Sequence, residues 1–261
     1  MLILKLGGSI ITEKDLENPQ INTDNLERIA YEIKESSVKE LIIVHGAGSY
    51  GHPPAMKYQI GNPIKDDLEF KKIGFSITQN SVKKLNTYVC DSLIKQGVPC
   101  VSIQASSFII SENKRITIAD TDLIKRYVEE GFVPVIYGDV VLDLEETIKM
   151  SVLSGDQIIN YLAKQLHAEK VILGTDVDGV YNKNPKTHSD AKLIKKVTSI
   201  EDIEKFESTT NIDVTGGMIG KIKELLELSE EGISSLIINA NKKNIIKKAL
   251  NNEEVEGTLV Q

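Results

Sequence analysis

Short, unbroken apolar runs alternate along this chain with longer stretches in which apolar residues recur every three or four positions. The runs are "LILKL" (2–6), "LIIV" (41–44), "VPCVSI" (98–103), "VPVIY" (133–137), "KVIL" (170–173) and "SLIINA" (235–240). They are β-branched with little apolar–polar alternation, which predicts parallel strands covered on both faces. Between the first two, Leu26, Ile29, Ala30 and Ile33 form a stripe that predicts a helix over about 24–37, with Asp24 at the N-cap and Glu27 at N3. A longer helix is expected over about 66–96, burying Phe70, Ile73, Ile77, Leu85, Val89 and Leu93. Others are expected near 120–130, 156–167, 216–230 and 242–250, with Gly131 and Gly232 placed as C-terminal caps. "VIYGDVVLDL" and "TIKMSVL" look like the two arms of a β-hairpin, which fits a closed barrel poorly. The pattern as a whole predicts an α/β fold with a mostly parallel sheet.

Composition narrows the class without naming it. The chain has 261 residues, 41% hydrophobic and 26% charged, as in ordinary globular proteins. A formal net charge of −7 argues against a broad nucleic-acid footprint, so any anion site must be a local gathering of positive groups. Cys90 and Cys100 are the only cysteines and read as reduced fillers. The chain enters a strand at once, without a cationic leader, and no apolar run approaches the roughly 18 residues of a membrane span. A cytoplasmic protein without membrane partners is expected.

Glycine clusters where strands should end. "KLGGS" (5–9), "HGAGSYGH" (45–52) and "YGD" (137–139) follow strands, while "SGDQ" (154–157) and "TGGMIGK" (215–221) precede helices. Glycine lets backbone N–H groups approach an anion, and helix starts add partial positive charge. The carboxyl edge of an open α/β sheet is also where ligands bind. "HGAGSYGH" has the G-x-G-x-x-G spacing of a dinucleotide turn, but it runs into Pro53 and Pro54 where a helix should open. The acidic residues about 20 positions on, Asp66 and Asp67, start a helix instead of closing a strand. "TGGMIGKI" misses the P-loop pattern at Thr215 and Ile222, protein-kinase motifs are absent, and "DVDG" (176–179) is too short for a calcium loop.

Taken together, "KLGGS", "HGAGSYGH", "SGDQ", "GTDVDGVY" and "DVTGGMIGK" resemble the amino acid kinase family, in motif order and over essentially the whole chain. The resemblance is to the branch with phosphate-monoester acceptors, because His52 closes the second loop. It implies an open αβα sandwich of two lobes, 1–168 for the acceptor and 169–261 for ATP. It also implies Mg2+ with the ATP, no protein-built metal site, and a homodimer.

By the same resemblance, Lys5 and Lys221 grip the transferring phosphoryl group, and Lys14 reaches the γ-phosphate. Leu6, Gly7, Gly8, Ser9, Gly48, Asp176 and Gly217 hold the nucleotide. Asp156 pairs the two lysines, although as a helix-start aspartate it could serve stability alone. Ala47, Gly48, His52 and Gly155 bind the acceptor phosphate, and Ala47 fits its loop if its φ is negative. His45 reads as structural, and His167 and His188 as surface residues. Asp178 and Gly179 shape a turn. Phe75, Ile77 and Ile136 are either tail-pocket walls or core.

The chemistry agrees with this inventory. A phosphate acceptor is already ionised, so positioning and positive charge suffice and no general base is needed. The resemblance implies ATP-dependent phosphorylation of isopentenyl phosphate to its diphosphate. Fosfomycin or another small phosphate or phosphonate is the alternative acceptor, and a non-catalytic nucleotide sensor is opposed by the presence of Lys5, Lys14 and Lys221.

Overall fold

The computed structural model describes residues 1–13, 19–185, 187–203 and 216–261. Its strands are β1 (Leu2–Leu6), β2 (Leu41–His45), β3 (Cys100–Ile103), β4 (Ile109–Glu112), β5 (Arg115–Ala119), β6 (Val133–Tyr137) and β7 (Asp139–Leu142). They continue as β8 (Met150–Leu153), β9 (Lys170–Thr175), β10 (Val180–Tyr181), β11 (Leu193–Ile194), β12 (Lys196–Val197), β13 (Ser234–Asn239) and β14 (Thr258–Val260). One eight-stranded sheet runs in the order β12-β14-β13-β9-β1-β2-β6-β3, antiparallel only between β13 and β14. The expected hairpin is β7 paired with β8, and a second one, β4 with β5, had no turn signature strong enough to announce it.

Pleating divides the core into two layers, because successive side chains point to opposite faces. Ile3, Ile42, Val44 and Leu173 pack with Ile158, Ile159 and Leu162 of α6 (Gly155–Gln165) and with Leu225 of the helix Gly216–Glu230. Leu4, Leu6, Ile43 and Ile172 pack on the other face. They meet α2 (Thr23–Lys34), α4 (Leu68–Lys95) and the helix Ile245–Leu250. α1 (Gly8–Ile11) joins this second layer and α5 (Asp122–Glu129) the first, and the result is the expected sandwich. Buried Glu32 of α2 ties its layer together, accepting from the N–H groups of Asn244 and Ile246 and pairing with Arg28.

Three expectations about helices need correction. α2 starts earlier, capped by Asn22, whose side chain accepts from the Asn25 N–H, so Asp24 lies inside its first turn. In α4 the buried stripe is one residue out of phase with the expectation over its first half. Lys71, Gly74 and Thr78 are buried, while Phe70, Ile73 and Ile77 are 48%, 59% and 43% exposed. Tyr58 explains the shift: a Cβ on Gly74 would lie 2.1 Å from its Cβ, so only glycine admits that ring. The Lys71 ammonium turns inward as well, to the carbonyls of Gln59, Asn62 and Pro63.

The third correction concerns the glycine loop. It does open a helix, α3 (Gly48–Lys57), with Pro53 and Pro54 inside it. Proline removes an N–H donor, so the carbonyls of Ser49 and Tyr50 lose their usual partners four residues on. Gly131 and Gly232 do end their helices at positive φ, 81° and 77°. Among the described residues, no helix is long and apolar enough to cross a membrane.

Candidate active site

The register of the sheet assembles the site. Gly174, Leu6, His45 and Tyr137 lie side by side in one row across β9, β1, β2 and β6. The turns that follow them therefore emerge together along the carboxyl edge. They line a cavity of about 600 Å3 with the starts of α6 and of the helix Gly216–Glu230.

At one end of the cavity the charges are organised around Asp156. Lys5 shares the pleat face of Ile3, which directs its side chain toward α6, where Asp156 occupies the first turn. Lys5 Nζ lies 2.5 Å from Asp156 Oδ1, and Lys221 Nζ lies 4.0 Å from Oδ2. Burial, and then the charge of Lys221, pull the Lys5 ammonium below its ordinary pKa, and Asp156 opposes them. Ser154 caps α6 by accepting from the Gln157 N–H. Asp156 is thus both a helix-start residue and the bridge between two lysines.

The glycines serve loop contact as much as anion approach. A Cβ on Gly8 would sit 2.5 Å from Gly48 Cα and N, and one on Gly46 would sit 2.7 Å from Gly8 N. Two backbones thus touch with no side chain between them. Gly8→Ala is expected to cost about 2–3 kcal/mol in urea unfolding, because backbone must move to admit the methyl. Gly220→Ala is the control, since nothing lies within 4 Å of that position. Equal unfolding midpoints for the two variants would refute the tight contact.

Ala47 and Gly155, read from the sequence as acceptor contacts, do converge. The Cβ position of Gly138 lies 3.6 Å from Ala47 N and 3.4 Å from Gly155 N. Ala47 has the required negative φ, −76°, and Gly48 takes φ +50°. His52 lines the same cavity from α3, and desolvation, then the charge of Lys221, lower its pKa below the usual histidine value. Beyond these groups the wall turns apolar, with Ala55, Val82, Val140, Val152 and Leu153.

Gly7, Gly8, Ser9 and Asp176 also line the cavity, as does Met218 on the helix whose first turn includes Gly217. Lys14 lies outside the described residues. Leu6 does not belong to the site: its side chain is 1% exposed in the opposite core layer, and its carbonyl accepts from the Gly46 N–H. Phe75, Ile77 and Ile136 do not line the cavity either. Phe75 packs against a small core group with Ala55 and Met150, Ile136 is buried in the sheet, and Ile77 faces outward. Asp178 holds its turn, meeting Tyr181, Asn239 and Lys242. His167 and His188 are exposed, as expected.

Sequence reasoning missed several cavity residues, among them Asp139, Ser49 and Thr78. Asp139 is buried, with its carboxyl pushed up by burial, and accepts from the N–H groups of Ser106 and Val140. Ser49 places a buried hydroxyl there with no hydrogen-bond partner among the described residues. Thr78 lines the apolar side from α4. "YGD" and the hydroxyl after G-x-G were visible signals for the first two, whereas Thr78 became legible only with the phase of α4.

An open parallel sheet with touching glycine turns, two lysines on one carboxylate and an adjoining apolar slot defines a small-molecule phosphotransferase. The chain belongs to the amino acid kinase family, whose sequence model matches residues 1–239. It is 56% identical to an isopentenyl phosphate kinase of Methanothermobacter thermautotrophicus, over 100% of this chain and 98% of that one. It is 39% identical to one of Methanocaldococcus jannaschii, covering 99% and 97% of the two chains. A solved isopentenyl phosphate kinase structure superposes with a TM-score of 0.92 at 53% identity, covering 100% of this chain and 99% of that one.

Proposed function

We propose that this chain transfers the γ-phosphoryl group of ATP to isopentenyl phosphate, yielding isopentenyl diphosphate and ADP. One observation carries the reading: a single cavity joins the Lys5–Asp156–Lys221 cluster, His52 with the Ala47 and Gly155 amides, and an apolar wall. Those three parts suit a phosphoryl group in transfer, an acceptor phosphate and a hydrocarbon tail. The relatives named above favour this acceptor over fosfomycin.

The acceptor attacks with an oxygen that is already ionised, so the protein supplies position and positive charge. His52 and the amides of Ala47, Gly48 and Gly155 hold the acceptor phosphate. Lys5 and Lys221 neutralise charge on the group in flight, and Asp156 keeps Lys5 protonated against its burial. Lys14 adds a third cation at the γ-phosphate. Gly7, Gly8 and Ser9 donate to the β- and γ-phosphates, and Asp176 and Gly217 position the nucleotide. The tail lies along Val82, Val140 and Val152.

Mg2+ bound with the nucleotide would supply charge neutralisation. Such an ion is generally held by phosphate oxygens and water with one or two carboxylates. Asp176, which lines the cavity, would be the carboxylate beside it. Residues 1–168 act as the acceptor lobe and 169–261 as the nucleotide lobe. The apolar side chains of Phe70, Ile73 and Ile77, exposed along α4, support a homodimer. Free Cys90 and Cys100 suit a reducing cytoplasm.

The test is ADP release with Mg-ATP and, in parallel, isopentenyl phosphate, fosfomycin, glutamate, carbamate and UMP. Selective turnover of isopentenyl phosphate is expected. Turnover of another acceptor alone would replace the assignment.

A further inference from the structure

His45 takes no part in the steps above, yet its side chain is more tightly specified than His52. It is fully buried, and its ring stacks on Tyr137 with centroids 5.3 Å apart and planes at 12°. Nδ1 lies 3.0 Å from the Gly46 carbonyl oxygen, and Nε2 lies 3.1 Å from Asn86 Nδ2. Asn86 is held in turn by two further side chains. Its Oδ1 accepts from the Ser102 hydroxyl and, at 3.7 Å, from the Cys90 thiol, so its NH2 group faces the imidazole. An amide NH2 donates only, so Nε2 must be the bare, accepting nitrogen. The proton then sits on Nδ1 and is donated to Gly46. Burial pushes the imidazole pKa down to about 4, so the ring is neutral near pH 7.

We infer that His45 and Asn86 are positioning residues that lock the Gly46–Ala47 peptide, holding the Ala47 N–H toward the acceptor phosphate. In a trans peptide the carbonyl and the following N–H point in opposite directions, so fixing one fixes the other. Glycine at 46 leaves that peptide plane with little intrinsic preference. The Nδ1–H of His45 supplies the preference by capturing the Gly46 carbonyl. Ala47 N and Gly155 N both lie within 3.6 Å of the Cβ position of Gly138, whose own N–H donates to the His45 carbonyl at 2.9 Å. One residue therefore anchors two of the turns that form the phosphate cradle. This inference rests on the acceptor-binding role proposed above for Ala47.

Asn86→Asp tests the lock, because a carboxylate accepts the Nε2 proton and so removes the constraint that puts the proton on Nδ1. Nitrogen-15 NMR of labelled histidine is expected to show the Nδ1–H tautomer in the wild type and Nε2 protonation in Asn86→Asp. In that variant KM for isopentenyl phosphate should rise about tenfold, with kcat and ADP affinity within about twofold. His45→Leu should raise KM similarly, whereas His45→Asn, whose amide can reach the Gly46 carbonyl, should restore most of it. A purely structural role would lower the melting temperature and leave these ratios unchanged. Unchanged KM in folded Asn86→Asp and His45→Leu would overturn the inference.

If the wild type does not turn over isopentenyl phosphate, the proposed reaction fails, and inorganic phosphate becomes the probe. The Ala47 amide resonance should then shift on phosphate addition in the wild type and not in Asn86→Asp. Equal shifts in both would overturn the lock.

Discussion

Replacing Asp156 with asparagine is expected to lower kcat about 10^3-fold, the scale seen when preorganised charge at a reacting centre is removed. The carboxylate sits 2.5 Å from the buried Lys5 and 4.0 Å from Lys221. Without it, the two cations face one another and Lys5 loses the carboxylate that holds its proton. Its pKa, already lowered, should fall further. Transfer needs Lys5 charged, so the alkaline limb of the pH–kcat profile should move to lower pH. Stability should fall too, by about 3 kcal/mol, because a buried charge is left unpaired.

The sign of that stability loss is definite. A lysine whose folded pKa lies below its unfolded value of 10.5 opposes folding while the unfolded chain is protonated. The deficit of Asp156→Asn should therefore be largest near neutral pH and shrink as pH rises toward 10.5. Stopped-flow rates and urea unfolding at several pH values measure both effects. A kcat within about fivefold of wild type, with an unmoved alkaline limb, would separate Asp156 from the lysines' work.

His52→Ala is expected to lower kcat/KM for isopentenyl phosphate by about two orders of magnitude, the worth of a strong charge-assisted hydrogen bond. ADP affinity should change little, because the proposed nucleotide contacts come from the turns after β1 and β9 and from the helix Gly216–Glu230. In the free protein, desolvation and Lys221 hold the His52 pKa below its usual value. A bound phosphate dianion acts in the opposite direction and favours the imidazolium. Acceptor binding should therefore take up a proton, and affinity should weaken as pH rises through the His52 pKa of the complex. That limb should vanish in His52→Ala, leaving the acceptor's own second ionisation, near pH 6 for phosphate esters. Calorimetry in buffers of different ionisation enthalpy measures the proton uptake. Equal uptake by wild type and variant would assign the proton elsewhere.

Much of the architecture was legible without coordinates. Runs such as "LILKL" and "VPVIY" have no polar face, so they can only be strands covered on both sides. The order of the glycine motifs then placed Lys5, Gly8, Ala47, Gly155 and Asp156 at one sheet edge. Strand ends were less clear, and β12 and β14 were missed because two or three residues carry no periodicity.

What tertiary structure alone decided is how surfaces meet. Leu6 neighbours Lys5 in sequence but belongs to the opposite core layer, because a strand alternates its side chains. The stripe of α4 could be drawn through Phe70 or through Gly74, and only the ring of Tyr58 settles which one is buried. The prolines at 53 and 54 argued against a helix that its packing nonetheless supports. Gly8 and Gly48 look like ordinary loop glycines until their backbones are seen to touch. Asn86 and His45 are 41 residues apart, and their hydrogen bond exists only because α4 packs across the end of β2. The sequence by itself determined which elements form, because periodicity and turn chemistry act locally. Which atoms face one another depends on contacts between distant elements, and that was decided by packing.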